Sequence, residues 1–227
     1  MKLIAHRCNT LESFDIALAY NPDAIEMDIV YFENSLYLYH PSGNKNLFGH
    51  DVDQIIQQEM TEKQNKIELD LKNIAPKLLD KAEFLLLDLK QKSLDVLPQF
   101  LEQVKQLNAK PTQILVGSRD TERMEVLKEN LNSLQVLSLG STYEEHKKMV
   151  EMGATKVRLW EDDLSKDYVK KIKDLGVEVF VTAGYKTSPE RKGNAGFVTI
   201  GKLEWFNDLE IDAVLVNDME LARKIIG

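Results

Sequence analysis

The sequence predicts an α/β fold, a single (β/α)8 barrel that runs through residues 1–227 as one compact domain. Three observations predict it. Eight short apolar runs alternate with amphipathic helical stretches, the rhythm of βα units around a parallel sheet. The 227 residues fit one well-buried barrel without a second domain. No internal repeat, low-complexity tract or linker divides the chain.

The strand candidates are 2–5, 24–29, 84–89, 112–117, 135–139, 155–160, 177–182 and 212–216, with an extra extended piece at 36–39. The helices between them carry their own punctuation. Asn9 and Glu12 frame a helix start, with Leu11, Phe14 and Leu18 on one face. Asp120 precedes a helix that buries Met124, Leu127 and Leu131, and Thr142 with Glu145 forms a capping box. Ser165 and Asp218 stand where N-caps belong. Pro98 is tolerated if its helix starts near Asp95. Gly153 and Gly176 end helices just before strands. Two segments break the rhythm. Residues 41–80 are polar, with Ile55, Ile56, Leu78 and Leu79 as their main buried candidates. Residues 183–201 read as a long loop rich in glycine, with Lys186, Arg191 and Lys192 as a lid over an anionic ligand or, more simply, as solvated loop charges.

Charge and composition exclude several functions. The formal net charge is −8 with both signs spread along the chain, so no basic stripe marks a nucleic-acid binder. A small anionic substrate stays possible, because a metal and a few cations invert the local field. The one cysteine, Cys8, forms no internal disulfide, which fits a reducing compartment. No apolar leader precedes the first strand and no run is long enough to span a bilayer. A cytoplasmic location without stable membrane insertion is therefore expected. Nothing in the sequence sets an oligomeric state.

In barrels of this class the chemistry sits at the C-terminal strand ends. The first strand ends in His6-Arg7 and the second in Glu26-Met27-Asp28; the extended piece ends in His40, and the third barrel strand in Asp88-Leu89-Lys90. Glu26 and Asp28 are two apart, so both carboxylates point to one face, inside an apolar context. Burying two repelling carboxylates unpaired is costly. A divalent cation, with Asp88 as third ligand, resolves the cost, and an all-oxygen set suits Mg²⁺ or Ca²⁺. His6 and His40 would then flank a bound substrate as general base and general acid. Arg7 and Lys90 would hold phosphate oxygens. Each feature alone is an ordinary strand-end polar group or salt bridge. Four of them at consecutive strand ends point to a site.

These residues carry a resemblance. Ile4-Ala5-His6-Arg7, Asn9-Thr10-Leu11-Glu12-Ser13-Phe14, Ala24-Ile25-Glu26-Met27-Asp28 and His40 resemble the glycerophosphodiester phosphodiesterase family, specifically up to residue 40 and more loosely afterwards. The resemblance implies a metal-dependent barrel enzyme that hydrolyses a glycerophosphodiester to glycerol 3-phosphate and an alcohol. It implies His6 and His40 as the catalytic histidines, Glu26 and Asp28 as metal ligands with Asp88 where many members have Glu, and Arg7 and Lys90 as basic partners. The nucleophile implied is the substrate's own glycerol hydroxyl, with a cyclic phosphate then opened by water. The chain departs from the family in four places: Cys8 replaces a glycine, the loop to Asn9-Thr10 is cut short so that the preceding Pro-Glu is missing, Pro41 follows the second histidine in place of Asp, and the late Trp-Thr reads as Val181-Thr182, or Phe180 if the alignment slides. Asp88-Leu89-Lys90 is also similar to the sphingomyelinase D-type phospholipases, which stop at a cyclic phosphate. A lyase is thus one rival, and a non-catalytic barrel that binds a phosphorylated ligand is another.

Other residues have quieter readings. Cys8 fills a small space more readily than it acts as a reactive thiol. His50 and His146 are expected to be solvated. Trp160 ends the sixth strand as a pocket wall, or packs under a loop; Arg158 in that same strand is expected in a surface salt bridge, with contact to a phosphate as the alternative.

Overall fold

The structure is a computed structural model that describes residues 1–41, 51–63, 66–184 and 195–226. His50, Lys186, Arg191 and Lys192 lie outside the described residues. The first third of the chain holds β1 (Lys2–Ala5), α1 (Leu11–Leu18), β2 (Ala24–Phe32), β3 (Ser35–Leu38), α2 (Val52–Glu62), α3 (Leu71–Leu79) and β4 (Phe84–Leu89). It continues with α4 (Leu97–Gln106), β5 (Ile114–Ser118), α5 (Thr121–Lys128), β6 (Gln135–Ser138), α6 (Tyr143–Glu151) and β7 (Lys156–Trp160). The last elements are α7 (Lys166–Lys173), β8 (Glu178–Thr182), α8 (Ile200–Asp208), β9 (Ala213–Val216) and α9 (Met219–Ile226).

The sheet closes. β1 pairs in parallel with both β2 and β9, and the strands run β1-β2-β4-β5-β6-β7-β8-β9 around the ring. Eight parallel strands with helices outside make the (β/α)8 barrel. The ninth strand, β3, lies outside the ring, antiparallel to the far half of β2. Its turn is Glu33-Asn34, both at positive φ (45° and 66°), the two-residue hairpin geometry that matches strand twist.

Strand alternation separates two apolar layers. Ile4, Ala24, Phe84, Leu86, Leu115, Leu137, Phe180, Ala213 and Leu215 fill the barrel interior. Their neighbours one residue along, such as Leu3, Ile25, Leu85, Val116, Val136, Val179 and Val214, pack outward against the helices. The inward positions turn polar toward the C-terminal strand ends, and that change creates the site. A third cluster joins Val30, Phe32 and Tyr37 of the hairpin to Ile56 and Met60 of α2.

The capping residues are mostly as expected. Thr142–Glu145 forms a capping box, Asp120 and Ser165 cap α5 and α7, and the Asp218 carboxylate accepts from Leu221 N at 2.8 Å. Pro98 lies in the first turn of α4, and Gly153 and Gly176 take positive φ. Asn9 is a correction: Thr10 caps α1, in a box with Ser13, and Asn9 is used elsewhere. His146 is another. It is buried, with Nδ1 2.7 Å from the Ser138 hydroxyl, because α6 turns it onto the end of β6. In the polar segment Ile56 and Leu78 are buried, whereas Ile55 and Leu79 are half-buried. Leu131 is likewise half-buried.

Candidate active site

The barrel mouth holds a cavity of about 160 Å³ lined by His6, Arg7, Glu26, Asp28, Asp88, Lys90, Arg119, Arg158, Trp160 and Thr182 over a floor of Leu86, Leu137, Leu139 and Leu215. Register builds it. Asp28 on β2 sits level with Asp88 on β4, and Glu26 lies one inward position below Asp28. Glu26, Asp28 and Asp88 each offer a carboxylate oxygen within 4.8 Å of the other two.

Each carboxylate is held differently. After β1 the chain turns through Arg7 at φ 56°, which aims Arg7 N–H at Glu26 Oε2, 2.7 Å away. Burial, then the charge of Asp28, pushes the Glu26 carboxyl up to about 8. Asp28 is only 1% exposed. Asn9 clamps it twice: its Nδ2 donates to Asp28 Oδ2 at 2.7 Å, and its Oδ1 accepts from Asp28 N at 2.9 Å. Lys90 ion-pairs with Asp28 and, at 2.7 Å, with Asp88 Oδ2. Arg119 Nη2 lies 2.6 Å from both Asp88 oxygens. Burial alone would raise the Asp88 pKa; Arg119 and Lys90 overcome it and hold the group well below the usual carboxylate range.

His6 is fixed from behind. Its side chain is 8% exposed, and Nδ1 lies 2.8 Å from Asn217 Oδ1, just past β9. Since an amide oxygen only accepts, Nδ1 carries the proton and Nε2 presents a lone pair, 3.9 Å from Glu26 Oε2. Burial lowers the His6 pKa to about 4, so the ring is neutral at pH 7. Asn217 is held in turn by donating to Ala195 O at 2.8 Å. Gly196, at φ 84°, crosses so close that a Cβ there would lie 2.7 Å from His6 Nδ1.

His40 lies at the rim and is exposed, two residues past β3; Tyr39 N donates to Asp28 O at 2.9 Å and ties this rim to the metal-type cluster. Burial lowers the His40 pKa, and Asp28, Lys90 and Arg7 all act on the ring through space. It does not line the cavity itself. Thr182 faces the cavity, whereas Val181 points to the helices and Phe180 sits deeper in the barrel. Trp160 lines the wall. Arg158 is not in a surface salt bridge; strand alternation turns it inward, 9% exposed, over the Trp160 ring at 4.5 Å. Cys8 is buried beside this cluster, and burial pushes its thiol up to about 12.

Two residues of the site escaped the sequence reading: Arg119, just past β5, and Asn217, just past β9. Both occupy positions where the strand-end rule applies, yet an isolated Arg or Asn carries no pattern of its own.

No protein-family model matches the chain, and no curated protein sequence does either. Solved structures do match. A phosphodiesterase from Oleispira antarctica, determined with the product sn-glycerol-3-phosphate, superposes with a TM-score of 0.72 at 13% identity over 100% of this chain and 97% of that one. A Galdieria sulphuraria protein provisionally named a glycerophosphodiester phosphodiesterase gives 0.71 at 17% identity over 100% and 98%. A barrel with other chemistry, the phosphoribosyl anthranilate isomerase of Thermus thermophilus, gives 0.54 at 12% over 99% and 96%. Several more neighbours bear glycerophosphoryl diester phosphodiesterase names. The chain thus has the (β/α)8 fold found in the glycerophosphodiester phosphodiesterases, and its barrel-mouth residues occupy the strand ends where that fold carries its chemistry.

Proposed function

We propose that the protein is a metal-dependent phosphodiesterase that cleaves a glycerophosphodiester to glycerol 3-phosphate and an alcohol. The observation that carries this reading is the juxtaposition of a neutral, oriented His6 with a buried three-carboxylate cluster in one cavity.

The donor set suits a divalent cation. Three carboxylates within 4.8 Å offer the hard oxygens that Mg²⁺ and Ca²⁺ prefer. Burial, then the charge of Asp28, raises the Glu26 carboxyl, and a cation would offset both. Glu26, Asp28 and Asp88 would hold the ion, which when bound supplies Lewis-acid stabilisation of a phosphoryl oxygen. Carboxylates have lone pairs enough to serve both Lys90 and a metal.

The chain's own residues do the rest. His6 Nε2 takes the proton from the attacking hydroxyl, and Asn217 stabilises the imidazolium that forms. His40, at the rim beside β2, gives a proton to the leaving alcohol, with Asp28 favouring its charged form against burial. Lys90 and Arg7 neutralise charge on the equatorial phosphate oxygens. The nucleophile is a hydroxyl of the substrate itself; Cys8, whose thiol burial pushes up to about 12, does not line the cavity. Water then opens the resulting cyclic phosphate with the histidine roles reversed.

Phosphorus NMR of the reaction with a glycerophosphodiester and Mg²⁺ or Ca²⁺ tests the chemistry. The expected end product is the glycerol 3-phosphate monoester signal. A cyclic phosphate that accumulates and persists would assign the protein to the lyases instead. A binding barrel without catalysis has one observation in its favour: Lys90 bridges Asp28 and Asp88, so an ammonium already offsets part of the charge a metal would meet. Calorimetric titration with Mg²⁺ and Ca²⁺ separates the two, since that reading expects no heat of metal binding.

A further inference from the structure

The cavity carries more cationic side chains than its carboxylates engage. Lys90 is shared by Asp28 and Asp88, and Arg119 takes both oxygens of Asp88. Arg158 is left over. Its Nη1 is buried with no hydrogen-bond partner, and among the described residues no ion pair joins it to a carboxylate. A buried guanidinium N–H without an acceptor is unfavourable, so a residue kept this way at a cavity wall stands ready for an acceptor that arrives with a ligand. Stacking on Trp160, 4.5 Å from the ring centroid, fixes the plane of the fork. Through space Arg119, past β5, acts on it as a like charge, while Asp88, Asp163 and Glu26 favour its charged form without hydrogen-bonding Nη1.

Position gives this arginine a meaning. In the eight-strand ring, β7 stands diametrically opposite β2. The carboxylate cluster, His6, Arg7 and Lys90 all sit on the β1–β2–β4 side. A substrate whose scissile phosphate lies on that side and whose alcohol crosses the mouth brings its far end to β7. Between them lie Thr182 and the leucine floor, and the other cation there, Arg119, is already engaged by Asp88.

We propose that Arg158, stacked on Trp160, is a specificity-determining residue that receives a second anionic group, phosphate or carboxylate, borne by the substrate beyond the scissile phosphodiester. The substrate class is then a glycerophosphodiester with an anionic alcohol. That last step rests on the phosphodiesterase reading; the anion subsite itself does not.

The test uses binding first. The chain has two tryptophans, Trp160 and Trp205, so a Trp205→Phe background makes fluorescence report on the ring beneath Arg158. The probes are sn-glycerol 3-phosphate, glycerol 1,3-bisphosphate and 3-phosphoglycerate, the last two adding a phosphate or a carboxylate to the first. The expected result is about tenfold tighter binding of at least one doubly anionic probe, the size of one charge-assisted contact, and which probe gains identifies the anion. Arg158→Gln is expected to remove that preference. Arg158→Lys keeps the charge without the planar fork and is expected to lose most of it, which keeps the test readable if Arg158→Gln folds poorly. Equal affinity for all three probes in the parent protein would overturn the proposal. So would an Arg158→Gln variant that weakens all three by one common factor, since the arginine would then hold the first phosphate. A second arm compares kcat/KM for diesters with phosphorylated and neutral alcohols. If no diester turns over, the phosphodiesterase reading falls, while the fluorescence outcome still decides the subsite.

Discussion

The His6 ring is oriented by a residue 211 positions away. Asn217 pins Nδ1–H and leaves Nε2 as the acceptor. Asn217→Ala is expected to lower kcat by about 10- to 100-fold with little change in KM, the pattern of a group that acts through another. Steady-state kinetics checks it. His6→Ala is expected to cost about 10²- to 10⁴-fold, as removal of a general base does. Glu26 yields a prediction in pH. Its folded pKa, about 8, lies above the ordinary carboxyl value, so metal-free stability is fullest at low pH and falls as pH rises toward 8. His6 works the other way: its pKa is lowered to about 4, so it supports the fold above about 6.5 and loses that contribution as pH falls toward 4. The two effects oppose between roughly 4.5 and 6.5. Above that only Glu26 remains, and the metal-free protein is expected to lose about 2 kcal/mol between pH 6.5 and 8. Thermal melts in a chelator check this. Glu26→Gln is expected to flatten the slope.

Among the elements, the β2–β3 hairpin sets the rim of the cavity, because it carries the chain to His40. It rests on α2 through Ile56 and Met60. Ile56→Ala is expected to cost about 2–5 kcal/mol and to slow turnover by loosening the strand before His40. Thr142→Ala removes the cap of α6 without touching a cavity-lining side chain, and is expected to cost about 1 kcal/mol with kcat unchanged. Paired melts and rates separate the two effects. This region also marks where sequence reading stopped. The barrel strands were legible because their β-branched and leucine-rich runs are buried on both faces. Helices α2 and α3 were not. Their polar faces hide a narrow apolar stripe, and Pro76 stands inside α3, where a helix is not expected. Asn9 misled for a physical reason: an Asn beside a helix start serves equally as a cap or as a clamp on a neighbouring carboxylate.

At the scale of the whole molecule, closure of the ring brings together residues from β1, β2, β4, β5, β7 and β9. The carboxylates and His6 were legible because each sits inside a short local pattern at a strand end. Arg119 and Asn217 were not, because their partners come from another strand: β4 for Arg119 and, through closure of the ring, β1 for Asn217. Arg158 was visible as a residue but not as a buried one, since the direction it faces depends on strand register. Among the described residues no helix is long and apolar enough to cross a membrane. The fold is shared by barrels of unrelated chemistry, so function rests on the site and not on the architecture.

We propose that this mouth hydrolyses glycerophosphodiesters through His6 and a divalent cation. The most direct measurement is release of glycerol 3-phosphate from a panel of glycerophosphodiesters with neutral and anionic alcohols, with Mg²⁺, Ca²⁺ or chelator, for the parent protein and His6→Ala. The expected result is release from at least one member with a divalent cation, lost in chelator and in His6→Ala. Folded protein that releases none from any member, or a His6→Ala variant that matches the parent rate, would contradict it.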